Sequence, residues 1–232
     1  MKAFQKMTKL EFAVFFLMSI SSGLTIGIGG AAALTANAMY ETWGKLIGAG
    51  LFTIGIYAII IYEMRLFTGM VSAIPTMGWK NSWRLLICFI GNAVGVAIIA
   101  GLVYCTPLAD TVIPQGKAVA ITKLSTENWA LSAFASSILC GLLITLSVWS
   151  VNHATKKNLS CTLGVLFPIA VFAFCGFDHS VANMLYFIFL GQISWKIVGY
   201  CLLSILGNLL GGIILPYITI LREKLDKKEE TE

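Results

Sequence analysis

Gly176-Phe177-Asp178-His179-Ser180-Val181-Ala182-Asn183-Met184 interrupts an otherwise uncharged stretch that runs from residue 158 to residue 195. An aspartate and a histidine at the centre of such a stretch are costly in lipid, and they point to a crossing that is broken rather than continuous. The same plan occurs earlier in the chain. Residues 46–79 form an apolar stretch interrupted by Glu63 and Arg65. Outward from these two breaks lie four uninterrupted runs, 12–40, 85–109, 128–152 and 197–221, each long enough to span a bilayer alone. The sum is six crossings, two of them broken. A count of eight is the alternative, but residues 66–79 are too few to span well.

Composition agrees. Of 232 residues, 58% are hydrophobic and 12% charged, far from the balance of a soluble globular domain. Disorder and collagen-like structure are excluded with it. The first apolar run is too long for the core of a cleavable signal peptide and reads as a retained span. Six cysteines (88, 105, 140, 161, 175, 201) lie in or beside apolar spans without a CxxC pair and read as packing residues.

Positive charge orients the chain. Lys2, Lys6, Lys9, Lys80, Arg84, Lys156, Lys157, Arg222, Lys224, Lys227 and Lys228 fall on one side. Lys45, Lys117, Lys123 and Lys196 fall on the other, and Arg65 lies within the membrane. Both termini are therefore expected in the cytoplasm. The net charge of +5 reflects this bias and gives no support for nucleic-acid binding. Tryptophans 43, 79, 83, 129, 149 and 195 sit near span ends, as an interfacial belt requires. Residues 223–232 read as a charged, solvated cytoplasmic tail.

A weak internal repeat joins the halves. A shift of 115 lays Phe52, Ile54 and Ala58 on Phe167, Ile169 and Ala173, and Tyr62-Glu63 on Phe177-Asp178. A shift of 116 lays Gly91-Asn92-x-x-Gly95 on Gly207-Asn208-x-x-Gly211. Residues 1–232 thus form one all-α transmembrane domain, with a first repeat over about 9–106 and a second over about 124–222. Three crossings per repeat invert the second relative to the first and put the breaks near the midplane. Asn92 and Asn208 are expected to satisfy backbone groups freed at the breaks. The other glycine pairs read as close helix packing.

The two breaks resemble the loop motifs of the formate/nitrite transporter family, Leu66-Phe67-Thr68-Gly69 matching the first and Gly176–Met184 the second. The resemblance covers essentially the whole chain. It implies an aquaporin-like fold, a homopentamer with one pore per protomer, and passage of small monovalent anions (formate, nitrite, hydrosulfide) across a bacterial inner membrane. Residue by residue it implies that His179 is the central pore histidine and that Thr68 faces it. Lys123 would stand at the outer vestibule. Leu66, Phe67 and Ile56 would form the cytoplasmic constriction, and Phe52 and Phe172 the outer one. Asp178 and Asn183 would support the second loop. Two departures stand out. Arg65 occupies a position that is usually acidic, and Gly141 one where asparagine is common, as though a pore-side amide were missing.

These residues suggest a mechanism for passive or proton-linked passage. An anion crosses a low-dielectric pore more easily once neutralised, and formate, nitrite and hydrosulfide each become neutral with one proton. Lys123 would gather the anion, half-helix N-termini would offer N–H groups, and His179 would give a hydrogen bond or a proton. An aquaporin-like channel for small neutral solutes is the nearest rival, although neither break carries Asn-Pro-Ala. An enzyme is not expected. His153 and His179 are too few and too separated for paired haem ligands, there is no His-Glu-x-x-His, and neither a metal nor another cofactor is called for.

Overall fold

A computed structural model describes residues 7–77, 81–152 and 159–229. Lys2, Lys6, Trp79, Lys80, His153, Lys156, Lys157 and residues 230–232 lie outside the described residues. Among the described residues every regular element is a helix: α1 (Lys9–Met39), α2 (Gly44–Ile61), α3 (Phe67–Val71), α4 (Ile74–Met77), α5 (Trp83–Tyr104), α6 (Ala109–Ser125), α7 (Trp129–Asn152), α8 (Leu159–Cys175), α9 (Ala182–Leu190) and α10 (Trp195–Glu229). Five of them (α1, α2, α5, α7, α10) are long and apolar enough to cross a membrane, and α8 is a shorter apolar helix of 17 residues. The chain is a multi-pass membrane protein. Its outer surface is apolar, with Leu86, Leu131 and Leu202 among many large exposed side chains, which is the surface lipid requires.

Helix ends follow local chemistry. Thr8 caps α1: its Oγ1 accepts from the Glu11 N–H at 3.2 Å, while Glu11 Oε2 accepts from the Thr8 N–H at 2.7 Å. Trp43 caps α2, and Trp83, Trp129 and Trp195 each open a helix. These positions fit the interfacial belt. α10 continues helical to Glu229, with Arg222 and Asp226 paired one turn apart at 3.8 Å. Through that residue the expected solvated tail is thus an extension of the last span. α6 lies between the apolar runs 85–109 and 128–152, in a segment the sequence reading assigned to no span. Its Val112, Ile113, Gly116 and Ala120 form a buried face.

The two breaks are built alike. α2 and α8 both end in a Schellman turn. In the first, Glu63 N–H donates to Ile60 O and Met64 N–H to Ile59 O; in the second, Gly176 N–H donates to Ala173 O and Phe177 N–H to Phe172 O. Glu63 and Gly176 both take the left-handed conformation, at φ 53° and 74°. The matching turn residues stand 113 apart (Glu63 with Gly176, Met64 with Phe177), two fewer than the shift of 115 read from sequence. At this spacing Phe52, Ile56 and Ile59, three of the buried residues of α2, fall on Val165, Ile169 and Phe172 of α8, which are buried too.

Glycine brings the long helices together in two similar crossings. A Cβ on Gly23 of α1 would strike Asn92 O of α5, and one on Gly141 of α7 would come within 2.5 Å of Asn208 O of α10. Gly141 therefore faces α10, not a pore. The reading of Gly141 as the site of a missing pore amide is corrected: the crossing leaves no room for any side chain there.

Candidate functional site

Each break exposes backbone groups, and in each an asparagine satisfies them. Asn92 Oδ1 accepts from Phe67 N–H at 2.8 Å, and its Nδ2 donates to Ser19 O and Arg65 O, both at 2.8 Å. Asn208 Oδ1 accepts from Ser180 N–H at 2.8 Å, and its Nδ2 donates to Ser137 O at 2.8 Å and Asp178 O at 2.9 Å. Both amides are fully buried. Each ties a break to two neighbouring helices. The expectation that breaks present open N–H groups to an anion is corrected at Phe67, Ser180 and Ala182, whose N–H groups already have side-chain acceptors.

The breaks meet at Thr68 and His179. Thr68 Oγ1 lies 2.9 Å from His179 Nε2, and both residues are 1% exposed. Ala182 N–H donates to His179 Nδ1 at 3.1 Å. A backbone N–H can only donate, so Nδ1 is the acceptor and the neutral ring carries its proton on Nε2. Nε2–H then donates to Thr68 Oγ1, which leaves the threonine hydroxyl hydrogen available to a further acceptor.

Two cavities approach this pair from opposite halves of α2. The smaller, of about 160 Å³, is lined by Lys45, Phe52, Lys123, Phe172 and His179 among others. The larger, of about 660 Å³, is lined by Ile56, Arg65, Leu66, Ile144 and Val165 among others. Phe52 and Phe172 meet edge to face with centroids 5.5 Å apart, and Phe172 stacks on His179 at 5.7 Å. Phe52 and Ile56 stand one helical turn apart on α2; Phe52 lines the smaller cavity with Phe172 and His179, and Ile56 lines the larger with Leu66, Ile144 and Val165.

The ring of Phe67 packs against Phe89 of α5, with centroids 5.1 Å apart. The sequence reading missed Ile144 and Val165. They stand in apolar spans with nothing to mark them apart from their neighbours, and only the register of α7 and α8 brings them to Ile56 and Leu66.

Lys123 is in place beside the smaller cavity, but its charge is engaged. Its Nζ lies 2.6 Å from Asp178 Oδ1, and its side chain is only 14% exposed. It also donates to Gly176 O at 3.3 Å. Asp178 accepts further from Asn183 Nδ2 at 2.8 Å and Tyr200 Oη at 2.9 Å, and its N–H donates to Ser136 Oγ at 3.0 Å. Asn183 thus ties α9 to Asp178. Lys45, read from sequence only as topological charge, lines the same cavity with an exposed side chain. Its Nζ sits 5.4 Å from the Phe174 ring centroid.

The model of the formate/nitrite transporter family matches residues 1–221. The chain belongs to this family. As a formate/nitrite transporter it is 28% identical to a probable formate transporter of Methanothermobacter thermautotrophicus, over 93% of this chain and 92% of that one. It is 27% identical to the uncharacterized transporter YrhG of Bacillus subtilis, over 92% and 86%. It is likewise 27% identical to formate channel FocA of Haemophilus influenzae, over 72% and 64%. Among solved structures it shares the fold of a pentameric formate channel with formate bound (TM-score 0.80, 22% identity, 94% and 100% covered). It also shares that of an ion channel of the same family (TM-score 0.77, 23% identity, 91% and 90% covered). The family is one of transporters, not enzymes.

Proposed function

We propose that this formate/nitrite transporter passes small monovalent anions of weak acids, formate and nitrite first and hydrosulfide as an alternative, along the path joining the two cavities. The observation that carries the reading is the buried contact between His179 Nε2 and Thr68 Oγ1, with His179 lining the smaller cavity beside Phe52 and Phe172. A desolvated anion needs hydrogen-bond donors at the narrowest point. Thr68 O–H is such a donor: its oxygen is held by His179 Nε2–H at 2.9 Å, which leaves the hydroxyl hydrogen for the anion. The imidazole is held in turn by Ala182 N–H on the far side of the ring.

The same geometry favours a hydrogen-bonding histidine over one that gives up its own proton. An imidazolium at His179 would set an Nδ1–H against Ala182 N–H, two donors facing each other. A neutral imidazole N–H is far too weak an acid to protonate formate. The proton that neutralises the anion is then taken from hydronium in the bulk solution, and His179 and Thr68 hold the acid or anion as it passes the apolar constrictions. Lys123 is compensated by Asp178, so Lys45 is the better candidate for gathering anions in the smaller cavity.

The finer architecture belongs to the same proposal. Six crossings arranged three plus three as an inverted repeat account for the paired Schellman turns, the paired asparagines and the paired glycine crossings. The breaks between α2 and α3 and between α8 and α9 lie near the midplane. The distribution of lysine and arginine supports cytoplasmic termini in an inner membrane. Assembly as a homopentamer rests on the likeness to a pentameric formate channel.

The test is uptake of formate, nitrite and hydrosulfide into proteoliposomes at pH 5.5 and 7.5, wild type beside His179→Asn. Selective, pH-dependent uptake that is lost or altered in the variant supports the reading. Rapid water or glycerol flux without anion uptake would replace it with the aquaporin-like neutral-solute channel.

A further inference from the structure

We propose that Arg65 is an anion-docking residue at the mouth of the larger cavity, and that its guanidinium favours planar two-oxygen anions over a single-atom anion. The inference rests on the anion-conducting reading above and adds a residue to it. At the spacing of 113 Arg65 is the counterpart of Asp178: the carbonyl of each accepts from the break's asparagine. The two side chains have opposite fates. Asp178 is 2% exposed and has its charge met by Lys123, Asn183 and Tyr200. Arg65 is exposed, and among the described residues no ion pair joins it to a carboxylate.

Its backbone is nonetheless held tightly. The N–H donates to Met18 O at 3.4 Å, and the carbonyl accepts from Asn92 Nδ2 at 2.8 Å and Cys88 Sγ at 3.2 Å. The held backbone keeps the exposed guanidinium within reach of the rim of the 660 Å³ cavity, which Arg65 lines together with Leu66 and Ile56, and Arg65 also borders a second cavity with Met7, Glu11 and Arg84. Glu63 lines the larger cavity as well, so the rim carries one charge of each sign and the geometry of the cation matters more than its bulk potential. A guanidinium presents parallel N–H groups that match the two oxygens of a carboxylate or nitrite. Hydrosulfide has a single acceptor atom and gains only the charge.

The experiment measures transport by the full chain in membrane vesicles of both orientations, with formate, nitrite and hydrosulfide supplied from either side. In wild type, Arg65→Gln, Arg65→Lys and Glu63→Gln, the half-saturating concentration is determined separately from the maximal rate. For formate and nitrite offered at the face bearing the N-terminus, Arg65→Gln should raise the half-saturating concentration about threefold, the scale of an exposed ion pair, with the maximal rate kept. Glu63→Gln should lower it. Arg65→Lys should recover hydrosulfide handling fully but formate and nitrite only in part. Unchanged concentration dependence in Arg65→Gln, beside a wild type that transports these anions, would overturn the docking role alone. Full recovery of all three anions by Arg65→Lys would overturn the geometric preference. A wild type that carries no anion would overturn the conducting reading and this inference together.

Discussion

Thr68 Oγ1 and His179 Nε2 stand 2.9 Å apart across 111 residues of chain. Each belongs to a different break, so the contact exists only when both are seated. Thr68→Val keeps shape and removes the acceptor, leaving a buried Nε2–H without a partner at about 1–3 kcal/mol. The expected outcome is a lower thermal midpoint in detergent and a strongly reduced formate flux. Thr68→Ser, which keeps the hydroxyl, should retain most of both. Equal flux in Thr68→Val and wild type would remove the hydroxyl from the path.

Asn92 and Asn208 each make three hydrogen bonds to a break and its neighbours. Substitution by leucine takes the acceptor from one buried backbone N–H (Phe67 or Ser180) and a donor from two carbonyls (Arg65 and Ser19, or Asp178 and Ser137). Asn92→Leu and Asn208→Leu should therefore be similarly and severely destabilised, by at least about 3 kcal/mol when several buried polar groups lose partners together. The measurement is the thermal midpoint of each variant in the same detergent. A large effect in one and none in the other would deny the equivalence of the two breaks.

Gly141 offers a test of packing against pore chemistry. A Cβ there would come within 2.5 Å of Asn208 O and 3.0 Å of Gly212 N. Both contacts are backbone and cannot swing aside. Gly141→Asn should fail to accumulate as folded protein, or lose several kcal/mol as overpacked sites do (about 1–3 or more), rather than gain conductance. Ile144→Asn, three residues on and lining the larger cavity, would place an amide on the path. It should change anion selectivity while leaving the helix crossing in place. Gel filtration and uptake, read side by side, separate the two outcomes.

Hydropathy and charge made the spans legible, and the tryptophans marked their ends. Gly-Asn-x-x-Gly signalled a buried amide in each half, and the nine residues around His179 signalled the site. What escaped was orientation. Apolar spans name their residues as apolar without saying which face meets a helix and which meets a cavity. That is why Gly141 was taken for a pore position, while Ile144 and Val165 went unremarked. The spacing of the matching turns escaped for a related reason. The left-handed residue that ends the helix is glycine at 176 but glutamate at 63, and a glutamate carries no turn signal. α6 was hidden by its modest apolar content, although Val112, Ile113, Gly116 and Ala120 recur at helical spacing.

Variants of the Lys123–Asp178 pair distinguish attraction from architecture for Lys123, one of two lysines lining the smaller cavity. The 2.6 Å pair is largely buried and shares Asp178 with Asn183 and Tyr200. Removing one partner of a buried pair leaves an uncompensated charge and typically costs about 3–5 kcal/mol, whereas removing both is far milder. Lys123→Met and Asp178→Asn should each lower the thermal midpoint sharply, and the double variant should sit above the sum of the two losses. Because Asp178 adjoins His179, the single variants should also distort the Thr68 contact and reduce flux, with partial recovery in the double. Were Lys123 an electrostatic lure instead, Lys123→Met would weaken apparent anion affinity at low salt and leave stability intact. The double variant would then recover no flux. Lys45→Gln supplies the contrast, since its side chain is exposed in the same cavity. It should affect apparent affinity in a salt-dependent way and leave the thermal midpoint unmoved.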